Sequence, residues 1–537
     1  MKKSILFMCA AGMLGLTTGC TDLDTTPESQ YTQYPTSEIA QEAKLADIYF
    51  HLRGVYGRRY MEAQALSSDE LVGISFDGDY FDLGTFAHTC QHNYSPDDAS
   101  IGWYEDVAKG ITKANTAIRD MGGNSGGAGV ASARAMRAFF HFVLMDSYGD
   151  VPVLDSLSSD ADQVKRQPRA EVAQYIAKEL EEVIPQLTTD VTANTYGKPT
   201  RWMAEALLAK LYINWPVYTA SSVDAYDAAT YTNDKLDRVV ELCDDIIQSG
   251  KFDLSDSYLS KFYPNNGYQI KDFIYALPYD AVKDKSMQYS RPLTWRKAND
   301  AGGSYYGCVL SKSAGGNFSI SPEMSDRLMS LSSDDRQDHV LAGTIYMYDA
   351  TTYKKTSTPW TYKGNTVTLT KDITLVENGE DELNVGNDVN GFSQGYKSVK
   401  WFVVNSDFMN DRSQSNDVPI LRYADVILMK AEAIARGASA TNGDTAESLF
   451  NQIRSYVHAP SLGHTPSLEE IYDERAREFF DENWRRNDMI RFGHFEDEYG
   501  FHKHKYAKAR FDKTCRVFPI PTTVLNKNTG WTQNAGY

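Results

Sequence analysis

The stretch Asp417-Val418-Pro419-Ile420-Leu421-Arg422-Tyr423-Ala424-Asp425-Val426-Ile427-Leu428-Met429-Lys430-Ala431-Glu432-Ala433 decides the fold class. Ile420, Ala424, Ile427, Leu428 and Ala431, continued by Ile434 and Ala435, recur at the three- and four-residue steps that bring side chains onto one helix face. Gly437 ends the stripe, as a residue free to turn left-handed at a helix C-terminus does. A face this apolar must be covered, so the stretch predicts a helix packed against other helices.

Outward from there the same pattern returns. Segments around 38–54, 98–120 and 130–147 are rich in Ala, Leu, Glu, Lys and Arg. In 169–185, Val172, Ile176, Leu180 and Val183 keep helical spacing, and in 200–215 Leu207, Leu208, Leu211, Tyr212 and Trp215 fill one broad face. The 232–249 stretch stops at Gly250, and Ser467 with Glu470 forms a capping-box signature before a helix at about 468–490. Residues 251–418 differ. They are rich in Gly, Ser, Asn, Asp and Thr, with short β-like runs at Thr366–Thr370 and Val399–Val404, and they hold Trp295, Trp360 and Trp401 outside any helical period. The chain therefore reads as mainly α. An N-terminal helical half (38–250) and a C-terminal half (419–537) flank an irregular, loop-rich region (251–418) of the kind that carries function. Successive helix pairs with Ala-rich faces resemble tetratricopeptide hairpins, although starts near 130, 170 and 200 keep no steady repeat.

The N-terminus reads as an export signal. Lys2 and Lys3 precede an apolar run from Ile5 to Leu16, then Thr17-Thr18-Gly19 and Cys20. A Cys directly after Gly at such a cleavage point looks like a bacterial lipobox, so residues 1–19 are expected to be removed, Cys20 lipidated, and 20–37 to act as a polar tether. The run is too short to span a bilayer. Cys90, Cys243, Cys308 and Cys515 remain, far apart and in no C-x-x-C arrangement, which gives no support for zinc and leaves any disulfide pairing open.

The 537 residues carry 54 Lys and Arg against 72 Asp and Glu, a net charge of −18 with no basic block, and so exclude nucleic acid as a partner. Motif matches read blandly. Gly391-Phe392-Ser393-Gln394-Gly395 fits a hydrolase elbow in letters but lacks the apolar strand before it and the helix after it. Gly122–Gly129 has neither dinucleotide nor P-loop spacing and reads as an interhelical loop. His502 and His504 diverge on a helix, and the acidic Glu377–Asp388 loop lacks regular Ca²⁺ spacing. No metal, cofactor or catalytic group is expected.

Aromatic residues make up 12% of the chain, Tyr alone numbering 34. Trp103, Trp202, Trp215 and Trp484 lie in helical patterns and read as core, while Trp295, Trp360, Trp401 and Trp531 do not, and Tyr80, Phe81, Phe86 and Tyr94 crowd another irregular stretch. Aromatic faces suit the C–H faces of sugar rings when polar groups nearby bond the hydroxyls.

Several ordered motifs resemble the SusD-like (SusD/RagB) outer-membrane lipoproteins of Bacteroidetes nutrient uptake. They are Cys20 with Leu23-Asp24-Thr25-Thr26-Pro27; Trp103-Tyr104 with Asn115; Arg134–Phe140 through Tyr148-Gly149-Asp150-Val151-Pro152; Asp417–Ala433; Glu474-Arg475 to Glu482, Arg485, Asp488 and Arg491-Phe492-Gly493; and the ending Asn534-Ala535-Gly536-Tyr537. Asn483 stands where the family pattern has Gly, Arg486 where it has Trp, and Thr529 where it has Pro. The resemblance implies a helical fold supporting an irregular ligand-binding region. It further implies a lipid-anchored protein facing the cell surface, which captures a glycan or other nutrient, partners a SusC-like TonB-dependent transporter, and does not catalyse. Two rival classes are a surface-anchored helical glycoside hydrolase and a helical-repeat scaffold that binds only proteins. The family has no fixed ligand motif. By position, the candidate ligand contacts are Asp69, Tyr80, Phe81, Tyr94, Trp295, Trp360 and Arg412, with rings stacking on sugars and Asp69 and Arg412 bonding hydroxyls or, for Arg412, an acidic substituent.

Overall fold

A computed structural model describes residues 38–537 apart from 79–81, 158–163, 231, 292, 294–302, 306–307, 311–315, 350, 353 and 500–507. The expected signal, Cys20, the tether and the histidines at 502 and 504 lie outside the described residues, as do Tyr80, Phe81 and Trp295. Residues Lys44–Tyr537 pack as one unit.

The helix expected over 38–54 forms at Glu38–Tyr49, and those expected over 98–120, 130–147, 169–185, 200–215, 232–249 and 420–435 form as α2 (Tyr104–Asp120), α3 (Ala128–Tyr148), α4 (Arg169–Val183), α5 (Arg201–Ile213), α6 (Leu236–Gln248) and α7 (Tyr423–Ala435). The stretch at 468–490 holds α9 (Leu468–Glu478) and α10 (Arg485–Phe492), while α1 (Arg59–Leu66) and α8 (Ala446–Tyr456) form where no helix was expected. Neighbours in sequence pack as pairs: α2 on α3, α3 on α4, α5 on α6 and α7 on α8. α6 also packs on α7, joining the two helical halves. α3 lies between α2 and α4 and is buried nearly throughout, so its two arginines need internal partners. Arg134 pairs with Glu179 of α4 at 2.6 Å, and Arg137 donates to Asn115 of α2 at 2.7 Å while also pairing with Glu179. The glycine-rich Gly122–Gly127 is the loop between α2 and α3, and Gly250 sits beyond α6 at φ +63°.

The irregular region contains short two-stranded ladders only, among the described residues. The longest tie with the C-terminal half is β1 (Phe273–Leu277), antiparallel to β2 (Val418–Arg422), whose register slips beside Pro419, a residue without an amide donor. The β-like run at Val399–Val404 pairs in no ladder; Lys397–Ser398 just before it does. The run is apolar because it is buried, which alternation alone does not distinguish from strand pairing. Ser393 caps the end of a one-turn helix, Val389–Phe392, with no strand feeding it.

The expected helix at 468–490 is two helices. Its capping box forms as expected, but α9 ends at Glu478 and α10 starts at Arg485. Between them Asp481 and Asn483 adopt φ of +62° and +75°. Asn is among the few non-glycine residues that tolerate this region, so it can stand where the family pattern has Gly. The break is held from three sides: Tyr289 Oη donates to Asp481 Oδ1 at 2.6 Å, Trp401 Nε1 donates to its carbonyl at 3.0 Å, and its amide donates to Glu70 Oε1 at 2.7 Å. Arg486, replacing Trp, lays its guanidinium 4.4 Å from the Phe518 ring centroid and donates to the Cys515 carbonyl at 2.8 Å. Cys90, Cys243, Cys308 and Cys515 are buried free thiols, and burial pushes Cys90, Cys308 and Cys515 up to about 12.

Buried charge ties the layers together. Arg422 of β2 meets Glu478 at 2.9 Å and Glu482 at 2.7 Å, Lys261 meets Asp272 at 2.6 Å, and Arg475 bridges Asp425 and Asp488 at 2.9 and 2.8 Å. Removing one member of such a pair strands the other in low dielectric, at a cost of about 3–5 kcal/mol.

Candidate ligand-binding site

The floor of the site is set by α1 and the turn before it. Glu62 is wholly buried on α1, so its carboxylate requires cations, and the sequence supplies them one turn earlier: Arg58 Nε at 2.6 Å and Arg59 Nη1 at 2.8 Å. Arg59 Nη1 also reaches Asp82 Oδ2 at 2.8 Å, which fastens the 82–84 loop to α1. Burial works against the Arg59 cation, but Glu62 and Asp82 outweigh it and raise its pKa. In that loop Asp82, Leu83 and Gly84 run at φ +45°, +59° and +85°, and Leu83 is 91% exposed. Left-handed backbone at non-glycine residues costs on the order of 1 kcal/mol each and persists where the surroundings over-determine it.

A second segment, 285–293, closes on the same place. Gln288 N donates to Gly57 O at 2.8 Å, and the approach is so tight that a Cβ on Gly57 would lie 2.3 Å from the Ser286 carbonyl oxygen. A third segment, 408–414, joins through Lys285 Nζ to Asp411 Oδ2 at 2.6 Å and Ser413 Oγ to the Lys285 carbonyl at 3.1 Å. Asp411 and Arg412 are again left-handed, at φ +57° and +65°. Arg291, bonded through Nη1 to Gln288 Oε1 at 2.9 Å, has its pKa lowered by burial and then by the neighbouring Arg58 and Arg412 cations. Arg412 is half-buried, and its Nε lacks an acceptor among the described residues. The result is a rim of Arg58, Arg59, Arg291 and Arg412 around a single buried carboxylate, rich in donors for hydroxyl or acidic oxygens.

Three of the candidate contacts fall elsewhere. Asp69 is 4% exposed and clamped by Arg485, Nε to Oδ1 at 2.7 Å and Nη2 to Oδ2 at 2.7 Å, with Arg327 Nη1 at 2.9 Å. Burial pushes its carboxyl up, and the two guanidinium groups overcome that and hold it below the usual range. It is a structural carboxylate. Tyr94 is buried against Phe518, edge to face at 5.0 Å. Trp360 is 2% exposed, its backbone bonded to Ile345 and Val367, so its ring has no face for a ligand. Trp401 is likewise buried, and Trp531 is half-buried with Nε1 on the Val164 carbonyl at 2.9 Å. Trp103, Trp202 and Trp484 are core as expected, and Trp215 is half-buried. Of the described candidates, Arg412 alone stands on the rim. Arg58, Arg59, Asp82 and Arg291 escape a reading of the sequence because single charged residues in an acidic chain carry no pattern.

Helix pairs packed under a region of short ladders define a class, the SusD fold. The surface glycan-binding protein A of Bacteroides fluxus superposes with a TM-score of 0.69 at 19% identity, over 94% of this chain and all of that one. The same-named protein of Bacteroides thetaiotaomicron, solved in complex with laminarihexaose, superposes with a TM-score of 0.66 at 18% identity, over 93% of this chain and all of that one. The sequence model of the SusD family matches residues 271–537, and one described as starch-binding associating with outer membrane matches residues 23–213. The starch-binding protein SusD of Bacteroides thetaiotaomicron is 24% identical over 464 residues, 82% of this chain and 77% of that protein. The chain belongs to the SusD family.

Proposed function

We propose that the chain is a cell-surface glycan-binding lipoprotein that holds an oligosaccharide at the arginine rim and passes it to a SusC-like TonB-dependent transporter. The observation that carries the reading is the convergence of 57–62, 82–84, 285–293 and 408–414 on one rim, beside the named ligands of the relatives, starch and laminarihexaose. In sequence, Tyr80 and Phe81 directly precede Asp82, and Trp295 follows Leu293 by two residues. In this reading they supply stacking faces, and Arg412 bonds hydroxyls or an acidic substituent.

Lipidation at Cys20 would tether the protein to the outer membrane facing the cell surface; among the described residues no helix is long and apolar enough to cross a membrane. The reading includes no catalysis. Titration calorimetry of the purified protein against neutral and acidic oligosaccharides tests the function. Saturable binding without new reducing ends is expected. New reducing ends would favour a hydrolase, and silence across the panel would favour a protein-binding scaffold. Native co-purification tests the partner: an outer-membrane barrel is expected, and its repeated absence would remove the transporter from the proposal.

A further inference from the structure

The carboxylates beside the arginine rim are each already taken by a cation. Glu62 holds Arg58 and Arg59, Asp82 holds Arg59, Asp284 holds Arg53 at 3.2 Å, and Asp411 holds Lys285. Arg412 stands next to them with no ion pair and no side-chain hydrogen bond among the described residues. Its Nε is sealed from solvent without an acceptor, while Nη1 and Nη2 are neither sealed nor bonded, so the outer end of the guanidinium is the part that a ligand can reach. Arg58 is similar. Its side chain is 19% exposed and uses Nε alone on Glu62, which leaves both Nη groups for another acceptor.

Gln288 gathers these cations. Its backbone amide donates to the Gly57 carbonyl at 2.8 Å, its Oε1 accepts from Arg291 Nη1 at 2.9 Å, and its Nε2 donates to the Asp411 carbonyl at 3.3 Å. One residue thus ties Arg291 to the positions that directly precede Arg58 and Arg412. Burial lowers the Arg291 pKa, and the Arg58 and Arg412 cations lower it further while Glu62 opposes them, as like charges brought close together require. The turn fixes Arg412 in this company: its backbone is left-handed at φ +65°, and its amide donates to the Phe408 carbonyl at 3.0 Å. In a chain of net charge −18, such a gathering of guanidinium groups is a local exception that an anion suits. Sugar hydroxyls can accept from these donors but leave the repulsion in place. An oxyanion relieves it and takes two parallel donors from one guanidinium.

We infer that the arginine rim selects acidic oligosaccharides, with a carboxylate or sulfate group of the sugar paired to Nη1 and Nη2 of Arg412 in the field of Arg58 and Arg291. The inference rests on the reading of the rim as the oligosaccharide site, and it names the class of glycan that the site prefers.

Calorimetric titration of the full mature chain tests it with hexagalacturonate for the carboxylate, a sulfated carrageenan hexasaccharide for the sulfate ester, and uncharged laminarihexaose. At least one acidic hexasaccharide is expected to bind about tenfold or more tightly than laminarihexaose, and to lose affinity steeply between about 50 and 500 mM salt. Which of the two binds distinguishes carboxylate from sulfate. Arg412→Gln should weaken the acidic ligand about tenfold with the circular dichroism unchanged, and Arg412→Lys, which keeps the charge without the planar fork, should weaken it less. Should Arg412→Gln fail to fold, the ranking of ligands by the unaltered protein and its salt dependence decide. Equal or tighter binding of laminarihexaose, acidic binding that ignores salt, or no binding by any of the three would each overturn the inference. The failures separate: laminarihexaose preferred and weakened by Arg412→Gln defeats the acidic selection and leaves the rim as the site, whereas acidic binding untouched by Arg412→Gln defeats the rim itself.

Discussion

Asp69 shows how one residue type serves two ends. In sequence it lies just ahead of an irregular aromatic stretch, as a sugar-binding carboxylate would; in the fold its two oxygens are fully used by Arg485 and Arg327. Arg485→Met is expected to destabilise the protein by about 3–5 kcal/mol in urea denaturation, because it leaves Asp69 buried beside one partly exposed partner. Asp417 behaves oppositely. Burial pushes its carboxyl up to about 7 despite hydrogen bonds from the Tyr279 amide at 2.7 Å and the Tyr196 hydroxyl at 2.7 Å. Between its ordinary 3.8 and 7 the folded state therefore holds a proton that the unfolded chain has released, so this group's contribution to stability falls as pH rises through that window. Asp417→Asn should flatten the slope and stabilise the protein at pH 8 by on the order of 1–4 kcal/mol, measured by denaturation at pH 5 and pH 8. Glu432 and Glu474, held down to about 2 against burial by their arginines, act at the acid end, and their contribution is lost as pH falls from 4.5 toward 2. None of this is legible from residue type. Trp360 and Trp401 likewise left helical periodicity because they sit in buried irregular chain, and a sequence pattern that marks loops does not mark exposure.

At the scale of elements, periodicity located the long helices because a one-sided apolar face repeats every turn; it missed α1 and α8, two short helices of two to three turns, and misjudged a place where a tertiary contact interrupts a helix. The break at Asp481 and Asn483 is such a place, fixed by Tyr289, Trp401 and Glu70 from distant parts of the chain. The capping box of α9 was legible because both partners lie within one turn. Ser467→Ala should cost about 1 kcal/mol in thermal or urea unfolding, with little effect on ligand. The rim was legible only in part: Arg412 by its position, its neighbours not at all, since α1, 82–84 and 285–291 meet through contacts between residues far apart in sequence. Gly57 tests that meeting directly. Gly57→Ala places a methyl group against the Ser286 carbonyl, so the 285–293 segment must shift. Stability is expected to drop by about 1–3 kcal/mol, and calorimetry should show weaker oligosaccharide binding although Gly57 itself offers no side chain.

For the whole molecule, the net charge of −18 fits the proposed capture of uncharged or locally acidic ligands, with steering left to the arginine rim. In the proposed function, attachment rests on one residue, Cys20. Cys20→Ala should move the protein from the membrane fraction to the soluble fraction without altering its denaturation midpoint; unchanged membrane retention would remove the lipid anchor. The central claim is that oligosaccharide is held where α1, 82–84, 285–293 and 408–414 converge. Calorimetry on the double variant Trp295→Ala, Arg412→Ala tests it most directly, against any oligosaccharide that the unaltered protein binds. A stacking face contributes about 1 kcal/mol and a hydrogen bond to a charged group about 1.5–3 kcal/mol, so affinity should fall at least tenfold with the fold intact. Unchanged affinity in a folded double variant would contradict the claim and send the search for the ligand to another face of the protein.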